Sequence, residues 1–200
     1  MLENFIADAR CLDDYIENVV FTDETLSGCD IGGMDFKKAV FSKCRFTDCD
    51  FTKASFIETE FADCVFVNCK FGDTYWKNSS VKRSRADGAY FADAHIKDCV
   101  FQSLSLCYAV FSQAKIENGK FSDCNMKSAS FADVKLKKTS FININFTGAD
   151  FFRTKLKDID LSSCELTGIA VSDTLSELKG AIIGYEQAAD IAALTGVKIR

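Results

Sequence analysis

From Phe21 to Val171 every fifth residue is apolar, and the phase does not slip once. The beat runs Phe21, Leu26, Ile31, Phe36, Phe41, then through Trp76, Val81, Ala86 and Phe91 to Leu161, Leu166 and Val171. Seventeen of the nineteen Phe fall on it. A repeat of five matches neither the 3.6 of a helix nor the 2 of a strand. It requires a chain that turns the same corner every five residues. Short fixed periods build solenoids, in which each unit buries its apolar side chain only by stacking on its neighbours. Two positions before each beat the residue is mostly small, as at Ala39, Cys44, Cys49, Ala54, Cys64, Cys69, Ala89 and Ala94. One bulky and one small side chain inward, with three largely polar ones outward, suit a narrow tube packed at crystal-like density.

Units such as Phe46-Thr-Asp-Cys-Asp-Phe51-Thr-Lys-Ala-Ser-Phe56 resemble the pentapeptide-repeat family, whose signature is Ala-(Asp/Asn)-Leu-X-X. The resemblance covers residues 21 to 173 and implies an all-β fold: a right-handed, quadrilateral parallel β-helix with four pentapeptides per coil. This sequence departs from the signature by preferring Phe at the centre and often Cys at the small site. The expected organisation is an N-terminal cap over 1–15, a β-helix of about eight coils over 16–175, and a C-terminal tail over 176–200. At the inter-strand spacing of ~4.8 Å the rod is roughly 35–40 Å long. The absence of Pro fits, because each unit must donate backbone N–H groups to the next coil. The stretch from Ser80 to Ala86 places only Val81 and Ala86 inside, so local irregularity or a bend is expected there.

Two hundred residues with 48% hydrophobic content suffice for one domain with an ample core. No run of eighteen apolar residues exists, and the N-terminus lacks a basic flank and an apolar stretch behind it, so a cytoplasmic protein with no membrane contact is expected. Of the ten cysteines, eight (Cys29, Cys44, Cys49, Cys64, Cys69, Cys99, Cys124 and Cys164) occupy the small inward site. The Cys44, Cys49, Cys64, Cys69 spacing invites a zinc reading, but the coil sets these thiols among Phe rings. Packing as small buried hydrophobes is the reading adopted, with no metal and no cofactor. A reducing compartment argues against a bridge between stacked pairs such as Cys49 and Cys69. The single His, His95, sits outward, and no phosphate loop or nucleophile elbow is present. Solenoid faces are flat or convex where enzyme sites are concave, so no catalysis is expected.

At the ends, Asp13 and Asp14 break the pattern, and residues 1–15 read as a short helix or an extended lead-in over the first coil. After Ser176 the phase ends. Tyr185 to Leu194 is a good helix former stopped by Gly196, and Val197-Lys198-Ile199 reads as a possible strand. Ile182, Ile183, Tyr185, Ile191, Leu194 and Ile199 are more apolar side chains than one coil end covers. The first five of these are the expected two-fold dimer interface. This tail resembles that of the quinolone-resistance (Qnr-type) members of the family, which the resemblance implies dimerise through their C-terminal ends.

With a coil of about twenty residues, outward charges sort by face. The face carrying Ile31, Phe51, Phe71, Phe91 and Phe111 displays Asp30, Asp50, Asp73, Asp93, Asp133, Asp150 and Asp173, against Lys53, Lys70 and Arg153. The face carrying Phe56, Trp76, Ile96, Ile116 and Leu136 displays Lys77, Lys97, Lys115, Lys135, Lys137, Lys138, Lys155 and Lys157. Residues 1–75 carry net −8 and residues 76–160 net +5, so the overall −5 conceals a dipolar rod. Regular Asp along such a rod imitates DNA phosphates, which is how the resemblance implies that Qnr-type proteins bind DNA gyrase or topoisomerase IV and relieve drug or toxin inhibition. The length, the tail and the lead-in Phe21-Thr-Asp-Glu-Thr-Leu26 are similar to that subgroup. The unbroken phase leaves no room for the looped insertions many of its members carry, and the Lys face would repel a positive DNA-binding saddle. The residues expected to meet the partner are Asp30, Asp50, Asp73 and Asp93, with no direct nucleic-acid contact. A structural or scaffolding rod with another protein partner is the alternative. A Lys face that meets nucleic acid or an anionic surface is the third reading.

Overall fold

The chain winds into a parallel β-solenoid in a computed structural model that describes residues 2–12 and 15–197. Each wall is a strand of two or three residues or a single bridge, and each strand pairs in parallel with the residues twenty positions on. One seven-stranded wall stacks Ile16, Phe36, Phe56, Trp76, Ile96, Ile116 and Leu136 in register. The next, also of seven strands, stacks Phe21, Phe41, Phe61, Val81, Phe101, Phe121 and Phe141. A three-stranded wall follows at Leu26, Phe46 and Phe66. The fourth wall has isolated parallel bridges only, from Asp30 with Asp50 to Asp150 with Ala170.

The five-residue beat is cut by a left-handed corner two residues past almost every inward side chain. Most corners carry Asp, Asn or Gly, as at Asp23 (φ 56°), Asp73 (φ 56°) and Asn118 (φ 52°), and several carry Lys, as at Lys38, Lys43 and Lys53. Asp and Asn tolerate this region because their short side chains bond locally. Inside, Phe rings pile up in near-parallel stacks: Phe41 on Phe61 at 4.5 Å, Phe51 on Phe71 at 4.7 Å, Phe91 on Phe111 at 4.9 Å. Rings of neighbouring walls meet edge-on, as Phe46 does with Phe51. Offset stacking along the rod and edge-to-face contact across it are the two arrangements that the ring quadrupole favours.

The strand-paired part spans about six turns rather than the eight coils expected. Past Ile142 the ladder continues through single bridges, such as Asn145 with Glu165, until the tail covers it. At Ser80–Lys82 pairing runs straight through, to Glu60–Ala62 on one side and Val100–Gln102 on the other. The irregularity lies in the wall that follows. From Ala86 onward it turns tightly, with Ala89 N–H donating to the Ala86 carbonyl at 3.2 Å, where the earlier coils of that wall have strands. Small Val81 and Ala86 leave an apolar void of about 10 Å³ beside Trp76, Phe101 and Leu106.

Both ends are sealed. Helix α1 (Leu2–Leu12) lies over the first coil and buries Leu2, Ile6 and Ala9, while Phe5 meets Phe21 edge-on at 5.5 Å. Asp13 and Asp14 lie outside the described residues. At the other end, residues 177–182 add half a coil: Leu156 N–H donates to Glu177 O, Asp158 N–H to Gly180 O and Leu161 N–H to Ile182 O, at 2.8–2.9 Å. Helix α2 (Ala188–Leu194) follows, starting three residues later than the Tyr185 of the sequence reading, because Tyr185–Gln187 form a turn. Gly196, at φ 81°, stands just past it. The possible strand at Val197–Ile199 falls largely outside the described residues.

Candidate interaction faces

The four expected contact aspartates share a wall but not a row. Asp30 and Asp50 precede their inward residues and are bridge partners on consecutive coils. Asp73 and Asp93 occupy left-handed corners (φ 56° and 59°), one coil apart from each other. Their surroundings differ as well. Arg10 of α1 reaches Asp30, with a 3.1 Å ion pair to its carboxylate and a 2.7 Å hydrogen bond to its carbonyl. Lys70 pairs with Asp50 at 3.6 Å. The Gly32 amide and Arg10 hold Asp30 below the usual carboxylate range, and Thr52 does the same for Asp50 through its side chain and amide. Asp73 and Asp93 are exposed and carry no ion pair among the described residues. Gly72 and Ala92, beside them, are buried in a wall of small side chains, and the Tyr90 ring lies next to Gly72.

The Trp76 wall sorts its charges differently along its length. In the early coils they alternate and pair: Lys37 meets Glu17 at 3.2 Å and Ser55 donates to Asp35. In the later coils Lys77 stacks on Lys97, and Lys115 on Lys135. Among the described residues the one ion pair in that half of the wall is Lys137 with Glu117, at 3.9 Å. Tyr75 and His95 head the Lys115 row, ring centroids 5.5 Å apart and nearly perpendicular.

In the tail, Ile183, Ile191 and Leu194 are half-buried against the core, whereas Ile182 is 51% and Tyr185 96% exposed. The expected interface residues are thus divided between covering the coil end and facing outward. Two polar side chains that the sequence reading did not single out do much of the sealing. Buried Glu177 accepts hydrogen bonds from the Arg153 and Ser172 amides and the Ser172 hydroxyl, at 2.9, 3.2 and 2.7 Å. Gln187 donates to the Ser162 and Cys164 carbonyls, at 3.0 and 3.1 Å, and accepts from Gly184 N–H at 2.7 Å. An exposed strand edge is a template for aggregation, and these groups satisfy it.

Seven of the eight inward cysteines are buried; six of their thiols approach the backbone carbonyl two residues back, as Cys64 does with Ala62 O at 3.4 Å, and Cys164 approaches Phe141 O at 3.8 Å. Cys29 is half-buried under α1, near Glu3. Burial pushes Cys99 and Cys124 up to about 11, so these are thiols at neutral pH. Among the described residues no group of three or more His, Cys, Asp or Glu is placed to hold a metal, and no helix is long and apolar enough to cross a membrane. A hollow of about 380 Å³ beside the tail is lined by Phe152, Arg153, Lys155 and Glu177, whose carboxylate is already engaged.

The profile of the pentapeptide repeat region matches residues 19–89 and 116–179. No curated protein matches the sequence. Among solved structures, a trypsin-treated form of QnrB1, a plasmid-mediated fluoroquinolone resistance protein, is similar with a TM-score of 0.55 at 19% identity, over 93% of this chain and 99% of that one. HetL, a pentapeptide repeat protein involved in heterocyst differentiation regulation in the cyanobacterium Nostoc sp. strain PCC 7120, gives 0.33 at 15% identity, over 90% and 96% of the two chains. A pentapeptide repeat protein of the Arabidopsis thaliana thylakoid lumen gives 0.37 at 20%, over 60% and 69%.

Proposed function

The chain belongs to the pentapeptide-repeat family, and from that premise we propose that it is a non-enzymatic, DNA-mimicking rod that binds DNA gyrase or topoisomerase IV and protects it from quinolones or toxins. The observation that carries this reading is the Asp73–Asp93 pair: two exposed carboxylates on matching corners of consecutive coils, free of ion pairs among the described residues, beside a wall of small side chains. A flat, negatively charged edge of this kind complements a protein surface built to hold phosphates. The resemblance over nearly the whole length to QnrB1, a fluoroquinolone resistance protein, supports the same partner class. The rod acts as a homodimer through the outward part of the tail, Ile182 and Tyr185, and works in the cytoplasm, where its thiols stay reduced.

A structural or scaffolding rod with another protein partner is favoured by one specific observation. Asp30 and Asp50 spend their charge inside the molecule, on Arg10 and Lys70, which leaves the acidic wall half neutral. A supercoiling assay separates the two. Purified protein added to gyrase and a fluoroquinolone should restore supercoiling under the topoisomerase reading, and should leave inhibition unchanged under the scaffolding one.

A further inference from the structure

The later half of the Trp76 wall presents two rows rich in lysine, in which Lys137 with Glu117 is the one ion pair among the described residues. One row holds Lys115, Lys135 and, twenty residues on, Lys155; the other holds Lys77, Lys97, Glu117, Lys137 and, twenty residues on, Lys157. The rows lie two residues apart along each strand, roughly 7 Å, and successive coils rise by ~4.8 Å, so the strip runs for roughly 19 Å. Like charges placed directly opposite on neighbouring strands destabilise a sheet. The early coils of the same wall avoid this by pairing Glu17 with Lys37, so the pattern is not a requirement of the wall. At the head of the strip stand Tyr75 and His95, half-exposed rings that meet edge to face and do not stack on each other. The His95 Nε2 atom is buried and has no hydrogen-bond partner among the described residues.

We infer that this strip binds the phosphodiester backbone of single-stranded nucleic acid, with the Tyr75 and His95 rings receiving bases at its end. Sequence-tolerant binders of single strands combine a positive track for the phosphates with aromatic rings on which bases stack, and both parts are present on one flat wall. An extended strand lines up its phosphates on one side and leaves its bases free. A duplex hides its base faces from the rings, and a lipid surface offers no base to stack on them. The site is on a different wall from Asp73 and Asp93, so it stands or fails independently of the topoisomerase reading.

The test is fluorescence anisotropy of a labelled oligothymidylate with the full chain across a salt series. The expected result is binding that weakens from about 50 to about 200 mM salt, with a log–log slope near −3 for about four phosphates met. Replacing Lys115, Lys135 and Lys155 with Gln should lower affinity at least ~tenfold and shrink the slope by about two. Tyr75→Ala should cost on the order of tenfold with the slope unchanged. The slope is measured on the unaltered protein and on each variant, and far-ultraviolet circular dichroism checks that each variant keeps its fold. No binding at the lowest salt, equal affinity in the lysine variant, or binding to phosphatidylserine vesicles without competition by the oligonucleotide would overturn the inference.

Discussion

Lys70 stands one coil above Asp50 on the same row, and its ammonium reaches the Asp50 carboxylate at 3.6 Å. This contact divides the acidic wall. Upstream of it, charges are consumed within the molecule; downstream, Asp73 and Asp93 face outward unpaired among the described residues. An exposed pair of this kind contributes little to stability, so its main effect is to decide which carboxylates an approaching partner meets. Lys70→Ala is therefore expected to extend the negative edge to Asp50 and to raise affinity for a basic partner surface by a few-fold at low salt. The gain should vanish at high salt, where exposed charges are screened. A binding titration of gyrase at two ionic strengths checks both statements.

Glu177 gives the coil end a pH limit. Burial pushes its carboxyl up, but hydrogen bonds from Ser172 and Arg153 outweigh this and leave it below the ordinary 4.5. A carboxylate with a lowered folded-state pKa adds stability above its unfolded value and loses it as pH falls through the folded one. Urea melts should therefore show the natural protein weakening below about pH 4.5. Glu177→Gln, which sets an amide against three donors, should cost about 1–3 kcal/mol near neutrality and flatten that acid dependence.

The void beside Trp76 should be fillable. Val81→Ile adds one methylene where Val81 and Ala86 leave space, and it is expected to raise stability by about 0.5–1 kcal/mol. Ala94→Val is the control, at a fully buried small site with no such void, and overpacking there should destabilise by about 1–3 kcal/mol. Thermal melts of the two variants should move in opposite directions.

Dimerisation should respond to the outward tail residues alone. Ile182→Glu combined with Tyr185→Glu is expected to give a monomer by light scattering with the melt little changed, because both side chains are mostly exposed in the single chain. Shortening the chain before Glu177 would be a poorer test, since it also removes the groups that seal the Arg153, Ser162 and Cys164 backbone.

The inside of this molecule was legible in the sequence because one rule governs it. The beat places Phe36 on Phe56 and Cys64 above Cys44, and in a tube that narrow only a bulky and a small side chain fit. The same beat gives each outward side chain a coil and a wall, so the lysine rows were legible too. Pairing across coils could also have been read by stepping twenty residues along the corners, as with Asp63 and Arg83, whose guanidinium forks onto the carboxylate at 2.9 and 2.8 Å. What the beat does not carry is the ends. Arg10 reaches Asp30 from a helix outside the repeat, and Glu177 and Gln187 act from a tail with no period. Grouping four aspartates on one wall therefore overstated its charge. The change of turn at Ala86 was visible only as a weak stretch, because wall geometry depends on hydrogen bonds that the apolar beat does not encode.

Asp73 and Asp93 have a structural reason to be aspartates, since the left-handed corner favours them, and so their role rests on what they meet. Lys is itself found at such corners in Lys38, Lys43 and Lys53, so a charge reversal there keeps the backbone. The most direct test is displacement of a labelled DNA fragment from gyrase by the rod. The natural protein should release the DNA in proportion to its concentration, and the Asp73→Lys, Asp93→Lys variant should lose at least ~tenfold in potency while melting normally, about 1.4 kcal/mol of lost binding. DNA that stays bound at saturating rod, or equal displacement by the variant, would contradict mimicry through this face.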